Sequence, residues 1–172
     1  MQDNTDNDLS ARRADGPGHA YLPAGSGQRV WMSGDEYRIL LDAAHSAGTM
    51  TLLDALVPPA GGPPEHAHAD VDELFVVLDG ELEIMADGAK YQVGPGGRVF
   101  VRRGTPHAFH NRSADPVRML IFYTPAGVEE FFLAAGVPAQ DGLPPPPADE
   151  ESTARAIEAG LRFQVSQAAQ PA

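Results

Sequence analysis

Residues 65–80, Glu-His-Ala-His-Ala-Asp-Val-Asp-Glu-Leu-Phe-Val-Val-Leu-Asp-Gly, decide the fold of this chain. Two histidines, His66 and His68, stand at i and i+2, and on an extended chain such residues point to the same face. Glu73 follows after a short polar segment and opens an apolar strand. Neutral imidazoles and a carboxylate are ligands that suit a divalent transition metal. The stretch therefore predicts that these three side chains share one ion.

A later strand offers a fourth ligand, directly after the turn residues 104–106. Alternation along this strand places His107, Phe109 and Asn111 on one face and His110 on the other. We therefore expect His107 to complete the metal site and His110 to point away from it. The amide of Asn111 is expected to tie strand ends together.

Short strands bounded by Gly, Pro or Asp recur through the middle of the chain. This spacing is typical of an all-β sandwich or barrel, and the 18 glycines and 16 prolines fit such a fold. Asp79-Gly80 and Asp87-Gly88 are each expected to close a hairpin. Residues 74–78 and 117–123 are apolar on both faces, so both strands should be covered on both sides.

The two strands that are apolar on both faces also bear on the number of subunits. One small barrel gives too little cover for two strands that are apolar on both faces. The sequence therefore predicts a homodimer, built by sheet packing or by strand exchange.

Composition divides the chain into four segments. They are a flexible N-terminal arm (1–28), a β-barrel (29–124), a flanking helix (125–136), and a Pro-rich spacer with a C-terminal helical tail (137–172). In the flanking helix, Thr124 is expected at the N-cap and Pro125 at the first helical position. Asp149 is expected to cap a second helix that ends near Gly160.

Charge and composition exclude several classes of partner. The net charge of −12 argues against nucleic acid and anionic membranes, which leaves a small molecule as the expected partner. There is no run of about 18 apolar residues, so no membrane span is expected. The N-terminus lacks a signal-peptide pattern, and a cytoplasmic location is the default expectation. Without cysteine, any metal must take nitrogen and oxygen ligands.

Residues 60–111 resemble the two sequence motifs of the cupin superfamily. At the spacing of the first motif stand His66, His68, Glu73 and Gly80. The glycine that precedes this motif, Gly61, lies one position closer to the first histidine than the pattern has it. The second motif matches at Gly104, His107 and Asn111, with Arg102 where a proline is usual. The resemblance implies a cupin-type β-barrel, or jelly roll, with one or two C-terminal helices.

Segments outside the motifs resemble bacterial single-cupin proteins related to quercetinases, the flavonol dioxygenases. These segments are residues 34–37, 57–64 and 125–132, together with the Pro-rich tail. The resemblance implies one divalent transition metal ion per chain, held by three histidines and one glutamate. Nickel, manganese, iron, cobalt and copper all suit such a ligand set.

The same resemblance implies a dioxygenase that acts on a flavonol or similar aromatic enol with O2. Glu73 would then also be catalytic, accepting the substrate's hydroxyl proton. The pocket should be apolar, and its candidate residues are Phe75, Val77, Phe109 and the strand 49–57. Two alternatives stay open: an isomerase or cyclase using the same metal on an enolisable molecule, and a metal- or ligand-binding module without catalysis.

Overall fold

The computed structural model describes residues 18–167, so expectations for residues 1–17 and 168–172 lie outside it. Its elements follow one another in this order: β1 (Arg29–Met32), β2 (Asp35–Leu41), β3 (Thr51–Val57), β4 (His66–His68), β5 (Asp72–Asp79), β6 (Leu82–Ala86), β7 (Ala89–Val93), β8 (Arg98–Val101), β9 (His107–His110), β10 (Val117–Thr124), α1 (Glu129–Ala135), β11 (Val137–Pro138), α2 (Glu150–Arg162) and β12 (Val165–Gln167). None of the helices in this range is long and apolar enough to cross a membrane.

The strands form two antiparallel sheets that face each other across one core. One sheet has the order β11-β1-β2-β3-β10-β5-β8, and the other has the order β12-β4-β9-β6-β7. Side chains alternate between core and surface along the long strands; in β3, for example, every second residue is buried. The predicted all-β jelly roll is confirmed, and two C-terminal helices are present where one or two were expected. Strands β4, β5 and β9 bring residues from distant parts of the sequence to one end of the barrel.

Only one of the two predicted turns closes a hairpin. Asp87-Gly88 joins the paired strands β6 and β7, and both turn residues have positive φ, as a type I′ hairpin turn requires. The prediction for Asp79-Gly80 was wrong, because β5 and β6 belong to different sheets. That turn instead carries the chain across the barrel, and Gly80 lies so close to Val117 that a Cβ would come within 2.8 Å of its side chain.

Helix α1 begins at Glu129, which corrects the prediction that Thr124 caps it and Pro125 opens it. The backbone N–H of Gly127 donates to the Glu129 carboxylate at 2.9 Å, and the hydroxyl of Thr51 donates to the same carboxylate. The buried Glu129 side chain thus binds groups that precede it. The segment ahead of the helix is held by these side-chain contacts, and the helix starts after it.

The C-terminal tail contains the predicted second helix and a strand that was not expected. Asp149 caps α2 through a reciprocal capping box with Ser152, so the predicted N-cap is confirmed. After α2, the chain forms β12, which pairs antiparallel with β4 at the edge of the five-stranded sheet. The tail is therefore part of a sheet and docks beside the strand that carries His66 and His68.

A buried carboxyl lies at the start of β2. Asp35 is completely buried, and its Oδ2 accepts a hydrogen bond of 3.0 Å from the Tyr37 hydroxyl. Burial raises the pKa of Asp35 to about 7, although hydrogen bonds from Tyr37 and the Gly62 backbone offset part of this effect. Because the folded protein holds this proton more tightly than the unfolded chain does, stability falls as the pH rises towards 7.

Replacement of Asp35 by asparagine should remove this pH dependence. Between pH 5.5 and pH 8 we expect the wild-type free energy of unfolding to fall by about 2 kcal/mol relative to Asp35→Asn. Urea denaturation at both pH values measures the difference, with Asp79→Asn at the exposed end of β5 as control. Parallel pH profiles for the wild type and Asp35→Asn would contradict a raised pKa of Asp35 in the folded protein.

Candidate metal centre

The structure brings the four predicted metal ligands together at one end of the barrel. His66 and His68 lie on β4, Glu73 lies near the start of β5, and His107 opens β9. One potential ligand atom from each residue lies within 4.8 Å of all the others. β4 and β9 are neighbours, with His66 opposite His107 in the register, which explains how motifs far apart in sequence meet.

Backbone carbonyls orient two of the imidazoles. His107 Nδ1 lies 2.8 Å from the Thr105 carbonyl oxygen, and His66 Nδ1 lies 3.0 Å from that of Pro64. In a neutral ring each Nδ1–H donates to its carbonyl, so Nε2 keeps its lone pair. This second contact is the one that metal-binding histidines generally make, since it fixes both the tautomer and the ring orientation.

The inward-facing atoms lack ordinary hydrogen bonds. Glu73 Oε2 lies 2.7 Å from His107 Nε2 and 3.5 Å from His68 Nε2, with all three residues buried. Yet none of these three atoms has a hydrogen-bond partner of acceptable geometry within the described chain. Lone pairs that converge without a donor are unfavourable in a dry site unless a cation lies between them. The donor set therefore fits a bound metal ion.

The protonation of three of the four clustered side chains also favours metal binding. Burial, with smaller contributions from the neighbouring His107 and His68 rings, lowers the pKa of His66 to about 4. Burial likewise lowers the pKa of His68. Burial would raise the pKa of Glu73, but the adjacent imidazoles outweigh it and hold that pKa below its usual value. At neutral pH His66, His68 and Glu73 are therefore free of the protons that a metal would have to displace. His107 differs, because burial would lower its pKa but the Glu73 carboxylate at 2.7 Å outweighs burial and raises the pKa of His107, so a metal at this ring competes with a proton.

Aromatic side chains from β10, α1 and β2 form a connected group beside the ligands. Tyr123 lies opposite Glu73 in the β10–β5 register, and its ring makes an edge contact with His68 at 5.5 Å. Phe132 of α1 lies 6.1 Å from Tyr123 and 4.7 Å from Tyr37, measured between ring centroids. Burial, followed by the Glu73 charge, raises the pKa of Tyr123 well above its usual value, so this phenol stays neutral.

A cavity of about 500 Å³ opens next to the cluster. His66, His68 and Glu73 line it, whereas His107 is not among the lining residues. Its walls are formed mainly by apolar and aromatic side chains from the barrel, α1 and α2: Met32, Tyr37, Pro63, Pro64, Phe109, Ile121, Tyr123, Phe131, Phe132, Ala156, Ile157, Leu161 and Val165. Among the lining residues of the described chain there is no lysine or arginine.

Only part of the predicted pocket lies at this cavity. Phe109 lines it, but Phe75 and Val77 are completely buried and do not. Both point inward from β5 as Glu73 does, yet they lie further along the strand and fill the barrel core. Phe75 supports the site from below, with its ring 6.0 Å from that of His107. No residue of the strand 49–57 lines the cavity either.

Two further expectations for the His107 strand are met. His110 is outside the ligand cluster, on the opposite side of β9 from His107. Asn111 is completely buried, and its Nδ2 donates to the carbonyl oxygens of Val57 at 3.0 Å and Asp115 at 2.8 Å. Its amide thus joins the ends of strands, as predicted, and takes no part in the site.

The wall residues from β10, α1 and α2 were not anticipated. Tyr123 reaches the ligands only because β10 and β5 pair in one particular register, and α2 reaches the cavity only because β12 docks on β4. Within the flanking helix expected at 125–136, the apolar residues follow an i, i+3, i+4, i+7 pattern, which is typical of one helix face: Val128, Phe131, Phe132 and Ala135. That pattern indicated a helix packed on the barrel, and Phe131 and Phe132 both pack there and line the cavity.

Comparisons with known proteins agree with this architecture. Residues 54–123 match the family described as "Cupin domain". The chain is 30% identical over 131 residues, or 76% of its length, to quercetin 2,3-dioxygenase from Bacillus subtilis, and the match spans 38% of that relative. Among solved structures, a predicted oxalate decarboxylase from Thermotoga maritima aligns with a TM-score of 0.57 at 17% identity, covering 62% of this chain and 99% of that one.

A second solved structure shows the same fold. An RmlC-like cupin from Shewanella frigidimarina aligns with a TM-score of 0.53 at 14% identity, covering 67% of this chain and 96% of that one. At such identities the structures report on the fold alone. The matching domain, the two-sheet barrel and the convergence of both motifs on one cluster agree: this chain belongs to the cupin superfamily and carries a single cupin barrel within its described residues.

Proposed function

We propose that this protein is a metal-dependent dioxygenase that acts on a flavonol or similar aromatic enol. The observation that carries the proposal is the cluster of three histidines and Glu73, which opens into an apolar cavity without a lysine or arginine among its described lining residues. The similarity to quercetin 2,3-dioxygenase supports it, although the chain spans only 38% of that relative.

The cavity favours a neutral, ring-shaped substrate. Its volume of about 500 Å³ falls in the usual range for small-molecule sites. Phe131, Phe132, Tyr37 and Tyr123 offer ring faces and edges for contact with an aromatic molecule. A phosphate or carboxylate would find no cationic side chain on these walls, and the net charge of −12 would repel it further.

In this proposal all four clustered side chains bind the metal, and Glu73 has a second role as the proton acceptor. His66, His68, His107 and Glu73 would hold one divalent ion, which as a Lewis acid would lower the pKa of a substrate hydroxyl. Glu73 is the one carboxylate among the lining residues in the described range, and we assign to it the acceptance of that hydroxyl proton. The apolar walls would orient the ring over the cluster and exclude water from it.

Oxygen uptake tests the proposed reaction. The purified protein is loaded separately with nickel, manganese, iron, cobalt or copper and mixed with quercetin in an oxygen-electrode cell. A dioxygenase places both atoms of O2 in its products, so uptake should equal substrate loss one to one. Turnover without oxygen would support an isomerase or cyclase instead, and tight binding without turnover would support a binding module.

We also propose that the protein is a homodimer, joined through the outer face of the seven-stranded sheet. Four apolar residues stand side by side there on neighbouring strands: Phe100, Leu74, Phe122 and Leu52. Phe100 remains 59% exposed, which is unusual for a phenylalanine that stands next to other apolar side chains on paired strands. A second copy that covers this row would bury it.

Replacement of Phe100 by lysine should separate the subunits, because it places a charge at the most exposed end of the proposed contact. Light scattering after gel filtration should give a dimer mass for the wild type and half that mass for Phe100→Lys. Tyr91→Lys, at an exposed position on β7 of the other sheet, is the control and should stay dimeric. A wild-type monomer, or equal dissociation of both variants, contradicts the proposed interface.

A further inference from the structure

We propose that the C-terminal segment Asp149–Gln167 is a substrate-binding wall of the cavity, and that one face of α2 contacts the substrate. This inference rests on the proposed function for the chemical class of the ligand, a neutral aromatic molecule. It assigns part of the binding of such molecules to a segment of the chain outside the cupin domain match, which ends at residue 123.

The first observation is the way in which α2 faces the site. The helix residues that line the cavity are Thr153, Ala156, Ile157, Gly160 and Leu161. They follow the i, i+3, i+4, i+7, i+8 pattern, which marks a single helical face. An apolar helix face in a small domain normally packs against the core, but this one borders open space beside the metal ligands.

The second observation is the exposure of two large side chains on that face. Ile157 is 44% exposed and Leu161 is 81% exposed, although both are apolar and line the cavity. On the adjoining surface of the same helix, Ala159 is buried and belongs to the main core cluster. The helix is thus anchored to the body of the protein while Ile157 and Leu161 remain uncovered, and an apolar ligand in the cavity would cover them.

The third observation is the direct link between this wall and the ligand strand. β12 pairs with β4 so that Val165 lies opposite His68, and the Ala69 N–H donates to the Gln164 carbonyl at 3.2 Å. Gly160 makes the close turn possible, because a Cβ there would lie 2.8 Å from the Val165 carbonyl oxygen. The wall and His66 and His68 are therefore held in one hydrogen-bonded unit, which places the α2 face at the cavity into which these histidines open.

A charge placed on the proposed contact face tests the wall. Quercetin and 2-naphthol are titrated into cobalt-loaded wild type, Ile157→Asp and Ala154→Asp, and binding is followed by absorbance together with the cobalt content. Ala154 is an exposed position of α2 outside the cavity lining and gives a matched control. We expect Ile157→Asp to bind both probes at least about 10-fold more weakly with unchanged cobalt content, and Ala154→Asp to bind as the wild type does.

The outcomes separate this inference from the proposed reaction. The proposed wall is overturned if Ile157→Asp binds the probes as the wild type does, if Ala154→Asp loses binding equally, or if the wild type binds neither probe. Only the proposed dioxygenase reaction is overturned if the wild type binds the probes and Ile157→Asp does not, but the wild type takes up no oxygen.

A second variant tests the attachment of the wall to β4. Gly160→Ala introduces the Cβ that would clash with the Val165 carbonyl, while the metal ligands stay untouched. We expect faster backbone hydrogen exchange in β12 and β4 and weaker probe binding, with circular dichroism close to that of the wild type. Unchanged exchange together with unchanged probe binding would show that the docked strand does not hold the wall.

Discussion

Replacement of His68 by alanine is expected to lower the affinity for divalent metal by more than about 100-fold, beyond the cost usually seen when a residue that only supports a ligand is lost. His68 is buried, and its Nε2 has no hydrogen-bond partner in the described chain that could take the place of an ion. Alanine at this position leaves a site with three ligands and a gap. Calorimetric titration of metal-free protein with cobalt or nickel measures the change.

His110→Ala is the matched control for this experiment. His110 lies on β9 beside the cluster but outside it, so its removal should leave metal affinity unchanged. Equal losses in the two variants would show that the effect is a general weakening of the fold. Full affinity in His68→Ala would exclude His68 as a ligand.

Replacement of Glu73 by glutamine is expected to lower the rate of oxygen uptake per bound metal by about 10²- to 10⁴-fold, the usual contribution of a positioned acid or base. Glutamine keeps the shape of the side chain and one oxygen but cannot accept the hydroxyl proton. Oxygen-electrode rates, divided by the metal content of each preparation, separate loss of the base from loss of the ion.

The control here is Glu83→Gln on β6. Glu83 pairs with Arg112 at the surface, and the cavity does not include it. This variant should keep the wild-type rate. A Glu73→Gln protein that also keeps the wild-type rate per metal would remove Glu73 from the chemistry while leaving it available as a ligand.

The side chains of the candidate metal cluster could be predicted from the sequence, because strand alternation decides which of them share a face. His66 and His68 share a face on any extended strand, and the alternation of β9 separates His107 from His110 without knowledge of the fold. The frequent Gly, Pro and Asp turns, which bound short strands, were likewise enough to indicate a barrel. These inferences need only the period of a strand, which the chain sets by itself.

The shape of the cavity depends on contacts that no local pattern encodes. Alternation correctly pointed Phe75 and Val77 inward, but their depth in the barrel, and hence their absence from the cavity, depends on how β5 crosses its neighbours. The Asp79-Gly80 turn also depends on such contacts. Its sequence indicates the end of a strand, but whether the next strand pairs with β5 or joins the other sheet is set by the folded barrel.

The C-terminal wall shows the same limit most clearly. The Asp149 cap of α2 could be predicted from the sequence, because aspartate is a favoured N-cap residue. The surface that the cavity-lining face of α2 meets is set by the pairing of Val165 with His68 across almost a hundred residues. A three-residue edge strand carries too little local signal to indicate such a pairing, so local patterns do not place the tail beside the site.

The most direct test of the central claim is anomalous diffraction from crystals of the protein loaded with cobalt and measured at the cobalt absorption edge. We expect one strong peak per chain, at roughly 2.0–2.2 Å from nitrogen atoms of His66, His68 and His107 and from a Glu73 carboxylate oxygen. A peak at another place in the molecule, or its absence from this cluster at full cobalt loading, would contradict the proposed metal centre.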